Sequence, residues 1–101
     1  NLKNYPGAIA YAKRSLALNR IAKDDISTAV IYGRLSDIYN RKKEYPKALA
    51  YCDTAYQMSI ITHNNRLRAN SYVEYALIYS QLHNFDKAID NAKKALNLPP
   101  E

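Results

Sequence analysis

The chain has no tryptophan, one cysteine, one methionine, one phenylalanine and two glycines in 101 residues. A single thiol excludes a disulfide framework and a cysteine-ligated zinc site. Two glycines are too few for a phosphate-cradling loop or for the many turns of an all-β fold. No apolar run approaches the roughly 18–20 residues that span a bilayer, and no secretory leader lies within the sequence. Charge of one sign is in modest excess, fifteen basic residues against nine acidic for a net +6. The basic groups Lys13-Arg14, Arg41-Lys42-Lys43, Arg66 with Arg68, and Lys93-Lys94 are interleaved with Asp24, Asp25, Asp53, Asp86 and Asp90. Phosphate recognition requires clustered charge on one surface, so a nucleic-acid-binding helical repeat ranks third among the readings. What remains is one domain's length of chain, 48% hydrophobic and carrying ten tyrosines, enough to build a core.

The sequence repeats itself at an offset of 40 residues. Tyr5, Pro6, Ala8, Ala10 and Tyr11 recur as Tyr45, Pro46, Ala48, Ala50 and Tyr51; Ala29, Tyr32, Ile38 and Tyr39 recur as Ala69, Tyr72, Ile78 and Tyr79; Lys47, Ala48 and Ala55 recur as Lys87, Ala88 and Ala95. The register holds without a gap, which marks a repeat architecture. Each unit reads as two helices. Asp24 or Asp25 caps a helix that runs to about Asn40, with Ile31, Tyr32, Leu35, Ile38 and Tyr39 at helical spacing. Tyr45-Pro46 opens the next, since proline is tolerated in a first turn, and it ends between Ile60 and Thr62. Asn64 or Asn65 caps a third; Asn84-Phe85-Asp86 turns into the last, which Pro99-Pro100 stops. Pro6 to Asn19 matches only the second helix of a unit. The expected fold is all-α, an antiparallel helix-hairpin solenoid of about five helices. Its parts are a partial repeat over 1–22 and full repeats over 23–62 and 63–101.

These residues resemble the tetratricopeptide repeat, whose pattern is Trp-x2-Leu-Gly-x2-Tyr, then Ala-x3-Phe, then Pro. Here it reads Tyr32-x2-Leu35-Ser36-x2-Tyr39 with Ala48-x3-Cys52-x2-Ala55, and Tyr72-x2-Tyr75-Ala76-x2-Tyr79 with Ala88-x3-Ala92-x2-Ala95. Pro100 stands at the closing proline. Ala8, Ala48 and Ala88 are small where antiparallel helices approach within about 8–10 Å. Tyr39 and Tyr79 are expected to fill the space between helices, with their hydroxyls reaching polar partners. Cys52 and Ala92 stand where the family has a large residue, so neighbouring helices are expected either to come closer there or to have the space filled by tyrosines such as Tyr11, Tyr51 and Tyr56. Repeats of this length, six residues longer than the common 34, resemble those of kinesin light chains, of cell-polarity adaptors and of bacterial signalling proteins that precede DNA-binding or histidine kinase domains; the Asn-, Lys- and Tyr-rich composition leans towards the bacterial group.

The resemblance implies a protein–protein or peptide interaction module, the repeat region of a bacterial signalling or transcriptional regulator. Its groove-facing residues map to Val30, Gly33, Asp37 and Asn40 and, one repeat on, to Asn70, Val73, Leu77 and Ser80. Gly33 either lets a ligand or backbone approach or sits opposite a bulky tyrosine. The basic set that holds a peptide's C-terminal carboxylate in some relatives is not here, so an amphipathic helix or apolar segment fits the groove better. The alternative is a structural spacer or dimerisation scaffold without an external ligand. No enzyme is read: Cys52 has no base beside it, and Asp37 with Glu74 would need an enclosing pocket to work as an acid/base pair. No cofactor or metal is expected, since His63 and His83 lack ligand partners at helical spacing. The chain opens on Asn1 rather than Met, and is read as part of a longer protein with further repeats, self-associating through exposed ends. A cytoplasmic location is expected, with an extracytoplasmic sensor region as the alternative.

Overall fold

Four of the five helices start at a side chain that accepts a backbone N–H. In the computed structural model, which describes residues 4–99, they are α1 (Tyr5–Ala22), α2 (Asp25–Arg41), α3 (Tyr45–Ile61), α4 (Asn65–Gln81) and α5 (Phe85–Asn97). Asn4, Asp24, Asn64 and Asn84 accept from the N–H groups of Gly7, Ser27, Leu67 and Lys87. Such caps are worth about 1 kcal/mol each. At α3 the cap position is Glu44, which makes no side-chain cap bond; Pro46 supplies the start instead. Pro100, the closing proline of the family pattern, lies outside the described residues.

The helix ends explain the even period. Lys23, Lys43, His63 and His83 hold left-handed φ values of 56°, 64°, 53° and 61°. Each follows a helix, and the next residue's N–H reaches back to a carbonyl five residues earlier: Asp24 to Asn19 at 2.9 Å, Glu44 to Tyr39 at 2.9 Å, Asn64 to Ser59 at 3.0 Å, Asn84 to Tyr79 at 2.9 Å. This is the Schellman closure. The residue that completes it is also the cap of the following helix, so one short turn ends one helix and starts the next. The two histidines are thus helix terminators. The left-handed conformation costs a non-glycine residue about 1–2 kcal/mol. Lys43→Gly is therefore expected to raise stability by about 0.5–1 kcal/mol, read as a higher thermal midpoint; a lower midpoint would mean that the Lys43 side chain contributes more than its backbone loses.

Successive helices pack as antiparallel neighbours, and α2 also packs against α4, whereas the backbones of α1 and α3, and of α3 and α5, stay farther apart. Contact along one edge only places α2 and α4 on the inside of the stack. The core holds Ala12, Leu35, Tyr39, Ala48, Cys52 and Ile78. Ala48 is 0% exposed, and its carbonyl accepts the buried Ser36 hydroxyl at 2.8 Å, so two small residues let α2 and α3 close on each other. Ala8, its counterpart, is exposed, because no described helix covers that side of α1.

The tyrosines depart from expectation in two ways. Tyr39 stacks on Tyr51 and carries Lys42 and Lys47 over its ring at 5.3 and 5.4 Å; Tyr79 carries Lys87 at 5.2 Å. Cations on ring faces replace the expected hydroxyl bonds there. The hydroxyl bonds occur instead between Tyr56 and Tyr72 at 3.3 Å, and from Tyr75 to Asp53. Tyr51 packs against the cluster that holds Cys52, whereas Tyr56 meets Tyr72 and Tyr75 of α4 instead, and Tyr11 is 66% exposed: its counterpart Tyr51 stacks on Tyr32 and Tyr39 of α2, and no described helix stands in that position against α1.

Candidate functional site

Val30, Gly33 and Asp37 lie three and four residues apart, so they share one face of α2. That face meets Asn70 of α4 at a cleft of about 310 Å³ where α2, α3 and α4 converge. The cleft floor is buried and mostly of small residues, with Leu67 the large one: Ala29 from α2, Cys52 and Ala55 from α3, Leu67 and Ser71 from α4. Arg34, Asp37, Asn70 and Glu74 supply the polar wall. An apolar floor with a few convergent polar groups is the usual make-up of a binding pocket.

Gly33 stands at the mouth. A Cβ built there would meet nothing within 4 Å. Neither a tyrosine nor a neighbouring backbone faces it, which corrects the bulky-tyrosine reading. Packing does not require glycine at this position, although it costs the helix about 1 kcal/mol relative to alanine.

Glu74 is the perturbed group. Burial, and then the Asp37 carboxylate, push its pKa up to about 7, with Arg41 pulling the other way. Its Oε2 is buried without a hydrogen-bond partner among the described residues. Asp37 itself accepts from Arg41 Nε at 3.0 Å on the exposed rim, a pair that adds little stability. Beneath them the Cys52 thiol, pushed up to about 12 mainly by burial, donates to the Ser71 carbonyl at 3.5 Å. A thiol so buried and so rarely ionised is inert as a nucleophile. The arrangement is suited to recognition.

The structure therefore brings together Val30, Gly33, Asp37 and Asn70 of the residues singled out from the sequence. Asn40 is half-buried further along α2, its Oδ1 buried and unpartnered. Val73, Leu77 and Ser80 are exposed on α4 and do not line the cleft; they stand one repeat on from Gly33, Asp37 and Asn40, on a side that no described helix covers. The cleft floor escaped the sequence reading, which carried over positions on the first helix of each repeat only. The small stripe Cys52 and Ala55 was the available signal.

A family model described as tetratricopeptide repeat matches residues 27–101. No curated protein and no solved structure matches the chain.

Proposed function

Since the chain belongs to the tetratricopeptide repeat family, whose repeats mediate protein–protein interactions, we propose that it binds a peptide or helical segment of a partner protein in the cleft between α2, α3 and α4. The observation that carries this reading is the open mouth at Gly33, above a floor of small residues. A glycine that packing does not need weakens α2 and admits a partner's backbone. The wider setting we propose is the repeat region of a longer bacterial signalling or regulatory protein in the cytoplasm; none of the described helices is long and apolar enough to cross a membrane. Exposed Phe85, Ile89 and Leu96 along α5 support a second reading, self-association through that helix.

The test uses a phage-displayed library of random peptides panned on the chain. Peptides are expected to enrich, and Gly33→Trp is expected to abolish their binding while the circular dichroism stays helical. Gly33→Ala should keep the binding and raise stability by about 1 kcal/mol. If no peptide enriches, or if Gly33→Trp binds as well as wild type, the cleft is not the site.

A further inference from the structure

The cleft beside Glu74 has a counterpart one repeat earlier. There α1 and α2 enclose about 280 Å³, lined in part by Ser15, Ser27, Val30, Ile31 and Arg34. Forty residues on stand Ala55, Leu67, Asn70, Ser71 and Glu74, and all five line the first cleft. One structural feature is thus built twice, and its charged position changes sign from Arg34 to Glu74. Val30 and Arg34 border both clefts, so the two are continuous across α2.

Neither charge is used by the fold. Arg34 is exposed and makes no ion pair among the described residues. Glu74 leaves a buried carboxylate oxygen unpartnered. Asp37, bordering the Glu74 cleft alone, adds a second carboxylate there, although Arg41 holds it from the solvent side. The two groups also do not neutralise each other across α2.

Resting on the reading of this face as a peptide-binding surface, we propose that the two clefts together hold one peptide segment bearing opposite charges, its acidic side chain at Arg34 and its basic side chain at Glu74. Packed helices stand about 8–10 Å apart, so equivalent points of the two clefts are separated by about that distance. A helical partner covers it in about seven residues at 1.5 Å each. An extended partner covers it in about three residues at roughly 3.3 Å each. The apolar floors take the aliphatic stems, and the heads reach the opposite charge. A segment of one charge sign gains at one cleft and is repelled at the other, which disfavours a polyanion such as nucleic acid. Electrostatic matching of this kind selects partners more than it strengthens them.

The experiment pans a phage-displayed random 16-residue library on wild type, Arg34→Glu and Glu74→Lys. Wild type is expected to enrich peptides with one acidic and one basic residue at the seven- or three-residue spacing. Arg34→Glu, which makes both clefts acidic, should enrich two basic residues at that spacing, and Glu74→Lys two acidic ones. The best wild-type peptide should lose about tenfold in affinity with either reversal and regain it when its matching residue is reversed. Glu74→Gln, which keeps the side-chain shape, should lose the preference for a basic residue alone. Enrichment in all three proteins without these charge preferences overturns the inference and leaves the peptide-binding reading standing. Failure of wild type to enrich any peptide overturns both.

Discussion

Ile78→Ala is expected to lower the stability of the chain by about 3–4 kcal/mol, and Ile38→Ala by about 1–2 kcal/mol, although the two isoleucines occupy the same place in successive repeats. Ile78 is 0% exposed and belongs to the central cluster with Leu35, Tyr39 and Cys52. Ile38 is half-buried and lies outside that cluster. The chemistry removed is identical, so the difference measures how completely each site is enclosed and how little it can collapse. A domain of this size has a total stability of about 5–15 kcal/mol. The Ile78 change therefore removes a large share of it, and at about 4–8 °C per kcal/mol lowers the thermal midpoint by about 15–25 °C. Urea unfolding with an unchanged slope provides the comparison. Equal losses at both positions would mean that the two repeats share one packing environment, contrary to the burial described above.

The repeat was legible because it is written in local chemistry. Caps at Asp24, Asn64 and Asn84 and prolines at the starts of α1 and α3 act within one turn of chain, and they placed every helix to within a few residues. The 40-residue offset also marked Ala48 and Ala88 as points of close approach. Properties that depend on what lies across the fold were less legible. Lys42, Lys47 and Lys87 satisfy Tyr39 and Tyr79 from the ring face, and nothing in the sequence distinguishes a lysine over a ring from one in solvent. The left-handed turns were hidden because Lys and His occupy positions where glycine is usual. Val73, Leu77 and Ser80 lie on the open side of α4, which has no described neighbour; a groove residue becomes part of a cleft only when the next repeat is beside it. Arg34 and Glu74 gain their meaning from the period, since each is unremarkable until set against the residue forty positions away.

The second large effect is a loss of stability with rising pH that Glu74→Gln removes. Glu74 has a folded-state pKa of about 7 against an ordinary 4.5, raised first by burial and then by the Asp37 carboxylate. A raised carboxyl pKa means that the folded chain binds the proton more tightly than the unfolded one. Its stabilising contribution is fully present below about pH 4.5 and disappears as pH rises through about 7. Each unit corresponds to about 1.4 kcal/mol, but the side chain is half-exposed and solvent screens it, so a loss of about 1–2 kcal/mol between pH 5 and pH 8 is expected. The other groups acting on Glu74 are Asp37, which raises its pKa, and Arg41, which lowers it, both from α2, while the Cys52 thiol of α3, at about 12, stays neutral. Asp24 and Glu44, whose pKa values are lowered by the Ser27 N–H and by Lys42 respectively, act in the opposite sense and only at more acid pH. Chemical unfolding of wild type and Glu74→Gln at pH 5, 6, 7 and 8 should show a falling line and a flat one. Two parallel lines would place the titration elsewhere. The same proton links stability to recognition: a basic side chain seated at Glu74 favours the ionised carboxylate, so its binding releases a proton and tightens as pH rises through 7, in the range where the empty cleft is least stable.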